Sequence, residues 1–154
     1  MKSIIAAAAS LALLGAAPAY AESMQISPNG SRPSAKGPAA NFTGTAIVNP
    51  FFGANQHTSS NGSMVTFEPG ARSAWHTHPG GQILIVMSGM GWIQEDGGPK
   101  REIRPGDVIW TPPGVKHWHG ASATTSMSHL AVTNVVGGKT VEWMEKVGDE
   151  LYGK

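Results

Sequence analysis

Cysteine is absent from the 154 residues of this chain. Its absence excludes disulfide bonds, thiolate nucleophiles and iron–sulfur ligation. Charge is also scarce and balanced, with 11 Lys and Arg against 10 Asp and Glu. Because no basic face or arm stands out, nucleic acid is not an expected partner. Stability must therefore come from an apolar core and from any oligomer interface, and chemistry must come from other side chains.

The apolar run near the N-terminus is too short to cross a bilayer comfortably. Lys2 precedes this run at residues 4–15, and residues 19–21 form the small-x-small pattern of a signal-peptide cleavage site. We therefore expect residues 1–21 to be removed during export. Residues 22–154 would then be periplasmic or secreted, with no net charge and no membrane contact. The alternative is an uncleaved N-terminal anchor.

Beyond residue 42, short apolar segments alternate with turn residues, as is typical of an all-β sandwich or barrel. Residues 22–41 lack periodicity and are rich in Ser, Pro, Gly, Ala and Asn, so we interpret them as a flexible arm that a neighbouring subunit could order. One β domain, residues 42–154, follows, with a weak helical pattern only near residues 149–152. Strands are expected at 42–48, 63–68, 73–78, 82–87, 90–95, 101–104, 107–111, 116–120, 126–136 and 140–145.

Two short blocks carry most of the histidines. His76 and His78 are two residues apart, and a strand directs such side chains to one face; His117 and His119 repeat this spacing. Gln82 follows a Pro-Gly-Gly turn that can fold its strand back beside the first block. Together the blocks can place three imidazoles and one amide oxygen around one divalent ion. If the histidines merely filled the interior, each buried imidazole would still need hydrogen-bond partners.

The two blocks resemble the two sequence motifs of the cupin superfamily. The matching residues, at the family's spacings, are Gly70, His76, His78, Gln82 and Gly89 in the first block and Gly106, Pro112, Gly114 and His117 in the second. Gln82 stands where most cupins carry glutamate, and Ala121 where the second motif usually ends in asparagine. The resemblance implies a single-domain cupin, which is a double-stranded β-helix or jelly-roll barrel. It also implies that the metal ligands are His76, His78, Gln82 and His117.

Residues 37–152 are further similar to the small manganese-binding cupins with hydroxynitrile lyase activity. Segments 66–72, 74–79 and 116–121 carry this similarity, and those cupins also use glutamine as the fourth ligand. The resemblance implies manganese, although iron, zinc, nickel or copper would suit imidazole ligands too. It implies a carbon–carbon lyase that cleaves a small α-hydroxynitrile to an aldehyde or ketone and cyanide.

Two histidines outside the ligand set are candidate catalytic residues. His129 shares a strand face with residues expected to point into the barrel, so we expect it to transfer the proton. His119 either assists as a base or hydrogen-bonds a backbone carbonyl. Because Gln82 is neutral, the ligand set leaves the ion's charge uncompensated, which favours Lewis-acid chemistry over redox cycling.

Four residues on the expected strands are candidates for lining the pocket. The candidate lining residues are Ser63, Val65, Leu84 and Thr133, and the similar lyases carry glutamine at the position of Thr133. By strand alternation, Trp75 should pack outside the barrel. The aromatic residues expected in the core or at an interface are Trp110, Trp118 and Trp143.

Two other functions are compatible with these residues. One is a metal-dependent dioxygenase of the quercetinase kind, although the neutral Gln82 argues against it. The other is a non-catalytic module that binds a metal or a small ligand. In each case the expected partners are a small molecule and further copies of the chain.

Overall fold

The computed structural model describes residues 22–153, so the expected signal peptide lies outside the described residues. These residues form short strands and one helix, α1 (Asp149–Gly153). The strands are β1 (Ala35–Lys36), β2 (Phe42–Thr43), β3 (Ala46–Phe52), β4 (Ser60–Phe67), β5 (Arg72–Ser73), β6 (His76–Thr77), β7 (Gln82–Gly89), β8 (Gly91–Glu95), β9 (Arg101–Ile103), β10 (Val108–Thr111), β11 (His117–Ala121), β12 (Met127–Asn134) and β13 (Glu142–Trp143). Within residues 22–153, no helix has the length and apolar character needed to span a membrane.

The strands form two antiparallel sheets. The first sheet has the order β1-β3-β4-β12-β7-β10, and the second has the order β13-β6-β11-β5-β2, with β8 joining β11 to β9. The main core lies between them and includes Phe42, Phe67, Leu84, Val86 and Met127. The prediction of an all-β jelly-roll barrel is confirmed.

Alternation along β7 shows why the sequence folds in this way. Gln82, Leu84 and Val86 are buried on the inner face, whereas Ile83 and Met87 are exposed on the outer face. The strand ends at Gly89, whose φ is 76°. A Cβ atom there would lie 1.8 Å from the carbonyl oxygen of Ser126, so only glycine fits this turn.

A second apolar cluster lies on the outside of the second sheet. Trp75, Trp118 and Val147 are buried there against residues of the C-terminal tail, which confirms that Trp75 packs outside the barrel. Arg72 fixes the tail because its Nε and Nη2 atoms donate hydrogen bonds to the carbonyl of Val147. The hydroxyl of Tyr152 donates to the carbonyl of Ala121. The tail therefore covers the outer face of the strand that carries His117 and His119.

Some strand boundaries differ from the sequence prediction. Segment 73–78 is interrupted because the amides of Ala74 and Trp75 bond to the carbonyls of Asn41 and Glu145 outside the ladder. Segment 42–48 is similarly split by Gly44, whose φ is 75°. The arm contains β1, which sequence periodicity missed, and β1 pairs with β3 at the edge of the first sheet. The flexibility of the rest of the arm stays a prediction.

Candidate metal centre and active site

The fold brings five histidines together inside the barrel. His76 lies on β6 and pairs in register with His117 on β11, and their ring centroids are 4.3 Å apart. The ring of His78 lies 5.0 Å from that of His76. His119 follows on the same face of β11, and His129 faces it from β12, with 4.7 Å between the ring centroids. All five side chains are buried.

Three of these rings are oriented by backbone carbonyls. The Nδ1 atom of His76 lies 2.9 Å from the carbonyl oxygen of Ala74, and that of His117 lies 3.0 Å from the carbonyl oxygen of Val115. The Nδ1 atom of His78 lies 2.6 Å from the carbonyl oxygen of Thr140. A carbonyl can only accept, so each ring carries its proton on Nδ1. The Nε2 lone pairs are consequently free to bind a metal.

The contact between Gln82 and His117 is compatible with a cation that binds both side chains. The Oε1 atom of Gln82 lies 3.1 Å from Nε2 of His117. Burial lowers the pKa of His117 to about 4, so at neutral pH its single proton is on Nδ1. With Oε1 of Gln82 in this orientation two acceptors face each other, and a cation bound to both would relieve their repulsion. A separation of about 3 Å is also what neighbouring ligands have when each lies about 2.1 Å from one ion and the two bonds meet at a right angle, as in octahedral coordination.

His119 lies closer to this cluster than the sequence suggested. The ligand atoms of His76, His117 and His119 lie within 4.8 Å of one another, so these three histidines could hold a metal ion. The Nε2 atoms of His119 and His78 are both buried and lack a hydrogen-bond partner among the described residues. The residues present thus fit a divalent metal. Strand alternation placed His119 on the correct face but could not give its distance from the other rings.

His119 and His129 form a hydrogen-bonded pair. Nε2 of His129 lies 3.1 Å from Nδ1 of His119, and Nδ1 of His129 is buried without a partner among the described residues. Burial lowers the pKa of His129 to about 4 and holds the pKa of His119 well below its usual value. Both rings are therefore neutral at pH 7, and one proton lies between them.

Because the two rings share one proton, His129 cannot act as a base while His119 binds a metal. If Nε2–H of His129 donates, then Nδ1 of His129 keeps a lone pair and can act as a base, while Nε2 of His119 carries a proton and cannot bind a metal. If Nδ1–H of His119 donates instead, then Nε2 of His119 is a free ligand and Nδ1 of His129 is protonated. A metal bound by His119 would therefore remove the basicity of His129.

A cavity of about 350 Å³ opens onto these side chains. Its polar surface includes His76, His78, Gln82, His119 and His129. Ser63 and Val65 line it, as predicted, but Leu84 and Thr133 are not among its lining residues. Leu84 is part of the core, and Thr133 lies beside Gln82 in the strand register. The apolar walls come from Phe42, Val48, Val65, Ala131, Val141 and Trp143.

Comparison with known proteins identifies the family. The family model described as "Cupin domain" matches residues 63–133. The chain is 39% identical to a cupin-like protein from Thermotoga maritima of known structure, covering 82% of this chain and 95% of that one with a TM-score of 0.73. This chain belongs to the cupin family.

Two further relatives are similar to this cupin to different degrees. It is 57% identical to an (R)-mandelonitrile lyase of Granulicella tundricola over 129 residues, which are 84% of this chain and 98% of the lyase. It also matches a polyketide cyclase from Streptomyces resistomycificus with a TM-score of 0.65, at 15% identity and over 84% of this chain and 90% of the cyclase. At that identity the cyclase supports only the fold.

The cupin's cavity has an aromatic wall that sequence analysis did not assign to the site. Trp143 on β13 pairs in register with His76, and its ring centroid lies 4.9 Å from the imidazole. Phe42 meets Trp143 edge-on at 5.5 Å. Both line the cavity. Sequence alone predicted a core or interface role for Trp143, because the pairing of β13 with β6 joins segments that are distant along the chain.

The remaining histidine is separate from this centre. His57 lies in an exposed loop and contacts Gln56 and Glu22. His57 is therefore solvated and takes no part in the buried cluster.

Proposed function

We propose that this cupin is a metal-dependent hydroxynitrile lyase that cleaves a small α-hydroxynitrile, such as (R)-mandelonitrile, to an aldehyde and cyanide. The observation that carries the proposal is that a neutral, buried base, His129, lines the same cavity as His76, His78 and Gln82. The 57% identity to a lyase of this name supports the substrate class.

We propose manganese, held by Nε2 of three histidines and Oε1 of Gln82, as the cofactor; the histidines are His76, His78 and His117. The orienting carbonyls of Ala74, Thr140 and Val115 support this set, as does the acceptor–acceptor contact of Gln82 with His117. A bound divalent ion supplies Lewis acidity toward the substrate hydroxyl oxygen. Manganese itself is proposed from the resemblance, because imidazole ligands alone do not select it.

His129 is the proposed catalytic base. Its Nε2–H donates to Nδ1 of His119, which leaves the lone pair on Nδ1 to accept the substrate hydroxyl proton. The bond between the hydroxyl carbon and the nitrile carbon then breaks. Its electron pair leaves with cyanide, while the O–H electron pair forms the carbonyl. Protonated His129 finally gives its proton to cyanide, so the products are an aldehyde and hydrogen cyanide.

The decisive experiment measures benzaldehyde release from racemic mandelonitrile by the manganese-loaded protein. Consumption of the (R)-enantiomer well above the buffer rate is expected, with loss of about 10²-fold or more in kcat for His129→Asn. The matched control is His57→Gln, which changes an exposed histidine outside the cavity. Activity equal to buffer, or unchanged in His129→Asn, would refute the proposal. Rapid oxygen uptake with a phenolic substrate would favour a dioxygenase instead.

We also propose export to the periplasm or beyond, with removal of residues 1–21. The leader pattern at residues 4–15 and 19–21 supports this. Mass spectrometry of protein recovered from a periplasmic fraction should show a chain beginning at Glu22. A chain that retains Met1 and stays in the membrane pellet would contradict it. The assembly is proposed to be a homo-oligomer.

A further inference from the structure

Asn41 is a polar side chain in an apolar part of the cavity. It is half-buried, and it lines the cavity beside Pro38, Phe42 and Trp143. In an apolar pocket, a few well-placed polar groups fix the orientation of a ligand and provide specificity. The proposed mechanism uses the metal ligands and His129, and it gives Asn41 no role. The side chain of Asn41 is therefore available to recognise a part of the substrate that does not react.

The backbone of Asn41 is fixed in relation to the metal ligands. The carbonyl of Asn41 accepts a hydrogen bond of 2.7 Å from the amide of Ala74. The carbonyl of Ala74 in turn lies 2.9 Å from Nδ1 of His76 and orients that ring. On its other side, the amide of Asn41 donates to the carbonyl of Pro38 at 2.9 Å. Asn41 is thus joined to His76 by one residue and two hydrogen bonds, which suits it to hold a ligand group at a defined place.

The side-chain amide of Asn41 has no hydrogen-bond partner among residues 22–153. An asparagine side chain offers two N–H donors and one carbonyl acceptor. A ligand group that both donates and accepts, such as a hydroxyl, is complementary to this amide. The chemistry of Asn41 therefore favours a ligand that carries a hydroxyl at this point of the cavity.

Asn41 lies at the end of the aromatic wall that is farther from the metal ligands. Trp143 packs against His76, with 4.9 Å between the ring centroids, and Phe42 meets Trp143 at 5.5 Å. Asn41 directly precedes Phe42 in the chain. The wall is therefore two rings long when followed outward from His76, and Asn41 lies beside the outer ring. An aryl group along this wall would direct its far edge toward Asn41 when its reacting carbon is held at the ligands.

Two other polar side chains line the cavity outside the histidine and glutamine cluster, but they lie elsewhere. Ser63 is in register with β12 two residues from His129, so it lies on the side of the base. Thr140 supplies the carbonyl that orients His78. Of the three, Asn41 is the one that lies beside the aromatic wall.

The cavity has room for a substituent on an aryl substrate. Its volume is about 350 Å³. A cavity of about 150 Å³ is enough to hold an unsubstituted benzene ring. The remaining volume accommodates the small hydroxynitrile group together with a hydroxyl on the ring.

We propose that Asn41 is a specificity-determining residue, and that it selects hydroxynitriles whose aryl ring carries a hydroxyl opposite the reacting carbon, such as 4-hydroxymandelonitrile. The phenolic O–H donates a hydrogen bond to Oδ1 of Asn41, while the ring lies against Phe42 and Trp143. This inference rests on the proposed lyase function, because it names the substrates of the same site.

The test compares 4-hydroxymandelonitrile with 4-methylmandelonitrile, which is similar in size, as substrates of the manganese-loaded protein. The wild type should show a kcat/KM about tenfold higher for the hydroxy compound, as expected for one additional hydrogen bond. Asn41→Leu keeps the size of the side chain but removes its polar atoms, so it should abolish this preference and leave kcat for the methyl compound nearly unchanged. A merely structural role would lower kcat/KM for both substrates equally, which would overturn the proposal.

Asn29→Leu is the matched control, because Asn29 is exposed and lies outside the cavity. This variant should keep the preference of the wild type.

Binding without turnover separates this inference from the lyase function. Isothermal titration calorimetry with 4-hydroxybenzyl alcohol and 4-methylbenzyl alcohol uses ligands that have the reacting hydroxyl but no nitrile to lose. The wild type should bind the first about tenfold more tightly, and Asn41→Leu should bind both alike. This result without cleavage of any hydroxynitrile would refute the lyase function and still support recognition of the ring hydroxyl by Asn41. Equal binding by the wild type, or a preference that persists in Asn41→Leu, overturns the proposal.

Discussion

Nε2 of His129 lies 3.1 Å from Nδ1 of His119, and this contact links the proposed base to the metal cluster. Because both rings are neutral and share one proton, the tautomer that frees Nδ1 of His129 as a base also protonates Nε2 of His119. His119 therefore acts as a positioning residue in the proposed mechanism.

His119→Phe should therefore lower activity without removing the metal. Phenylalanine offers no acceptor to Nε2–H of His129, so the proton of His129 is no longer held on Nε2 and its Nδ1 is less often available as a base. We therefore expect kcat to fall about 10²-fold while KM changes little. Elemental analysis should still find one metal ion per chain. Loss of the metal together with activity would instead make His119 a ligand. His119→Asn, which restores an acceptor, should recover part of kcat.

Gln82→Glu tests the role of the neutral ligand. A carboxylate near His117 should bind the cation more tightly but partly cancel its charge, so Lewis acidity toward the hydroxyl falls. We expect metal affinity to rise and kcat to fall, each by about tenfold. Titration with manganese and steady-state kinetics of the loaded variant measure the two changes. An equal or higher kcat would show that ligand charge does not limit the reaction.

Trp143→Ala tests the aromatic wall of the cavity. Trp143 packs against His76 and Phe42, so an aryl substrate placed in this cavity would lose an aromatic contact worth about 1 kcal/mol. KM for mandelonitrile should rise about fivefold, while KM for acetone cyanohydrin stays nearly constant. Trp143→Phe should restore most of the difference. If both substrates weaken equally, Trp143 acts only by supporting the ligand strand.

Sequence predicted the parts of this site that depend on local geometry. His76 and His78 share a face because strand alternation acts over a few residues, and the glycine turn before β7 brings Gln82 beside them. His117 lies far from them along the chain, and its place in the cluster followed from the resemblance to the cupin motifs. The contact between His119 and His129 depends instead on how two sheets pack, and strand periodicity contains no such information. The positions of Trp143 and the C-terminal tail were missed for the same reason.

Arg72→Met should show how much the C-terminal tail contributes to stability. The guanidinium is buried and donates two hydrogen bonds to the carbonyl of Val147. Because methionine cannot replace them, the free energy of unfolding should fall by about 3 kcal/mol. Asp149→Asn is the control, because Asp149 is exposed and its ion pair with Arg72 should contribute less than about 1 kcal/mol. Urea unfolding measures both. Equal losses in the two variants would contradict this assignment.

The metal-free protein should lose stability as pH falls from about 6.5 to about 4. Burial lowers the pKa of His117 and of His129 to about 4, and it also lowers the pKa values of His76, His78 and His119. The unfolded chain takes up these protons near pH 6.5, so in this window it binds more protons than the folded chain. The free energy of unfolding is therefore highest above pH 6.5, and protonation of each strongly shifted histidine can lower it by up to about 3 kcal/mol by pH 4.

Urea unfolding of EDTA-treated protein at pH 7.5, 6 and 5 should show a steady decline in the free energy of unfolding. His57→Gln should follow the same curve because His57 is exposed. A stability that does not change over this range would mean that the buried histidines are already protonated or hydrated in the folded state.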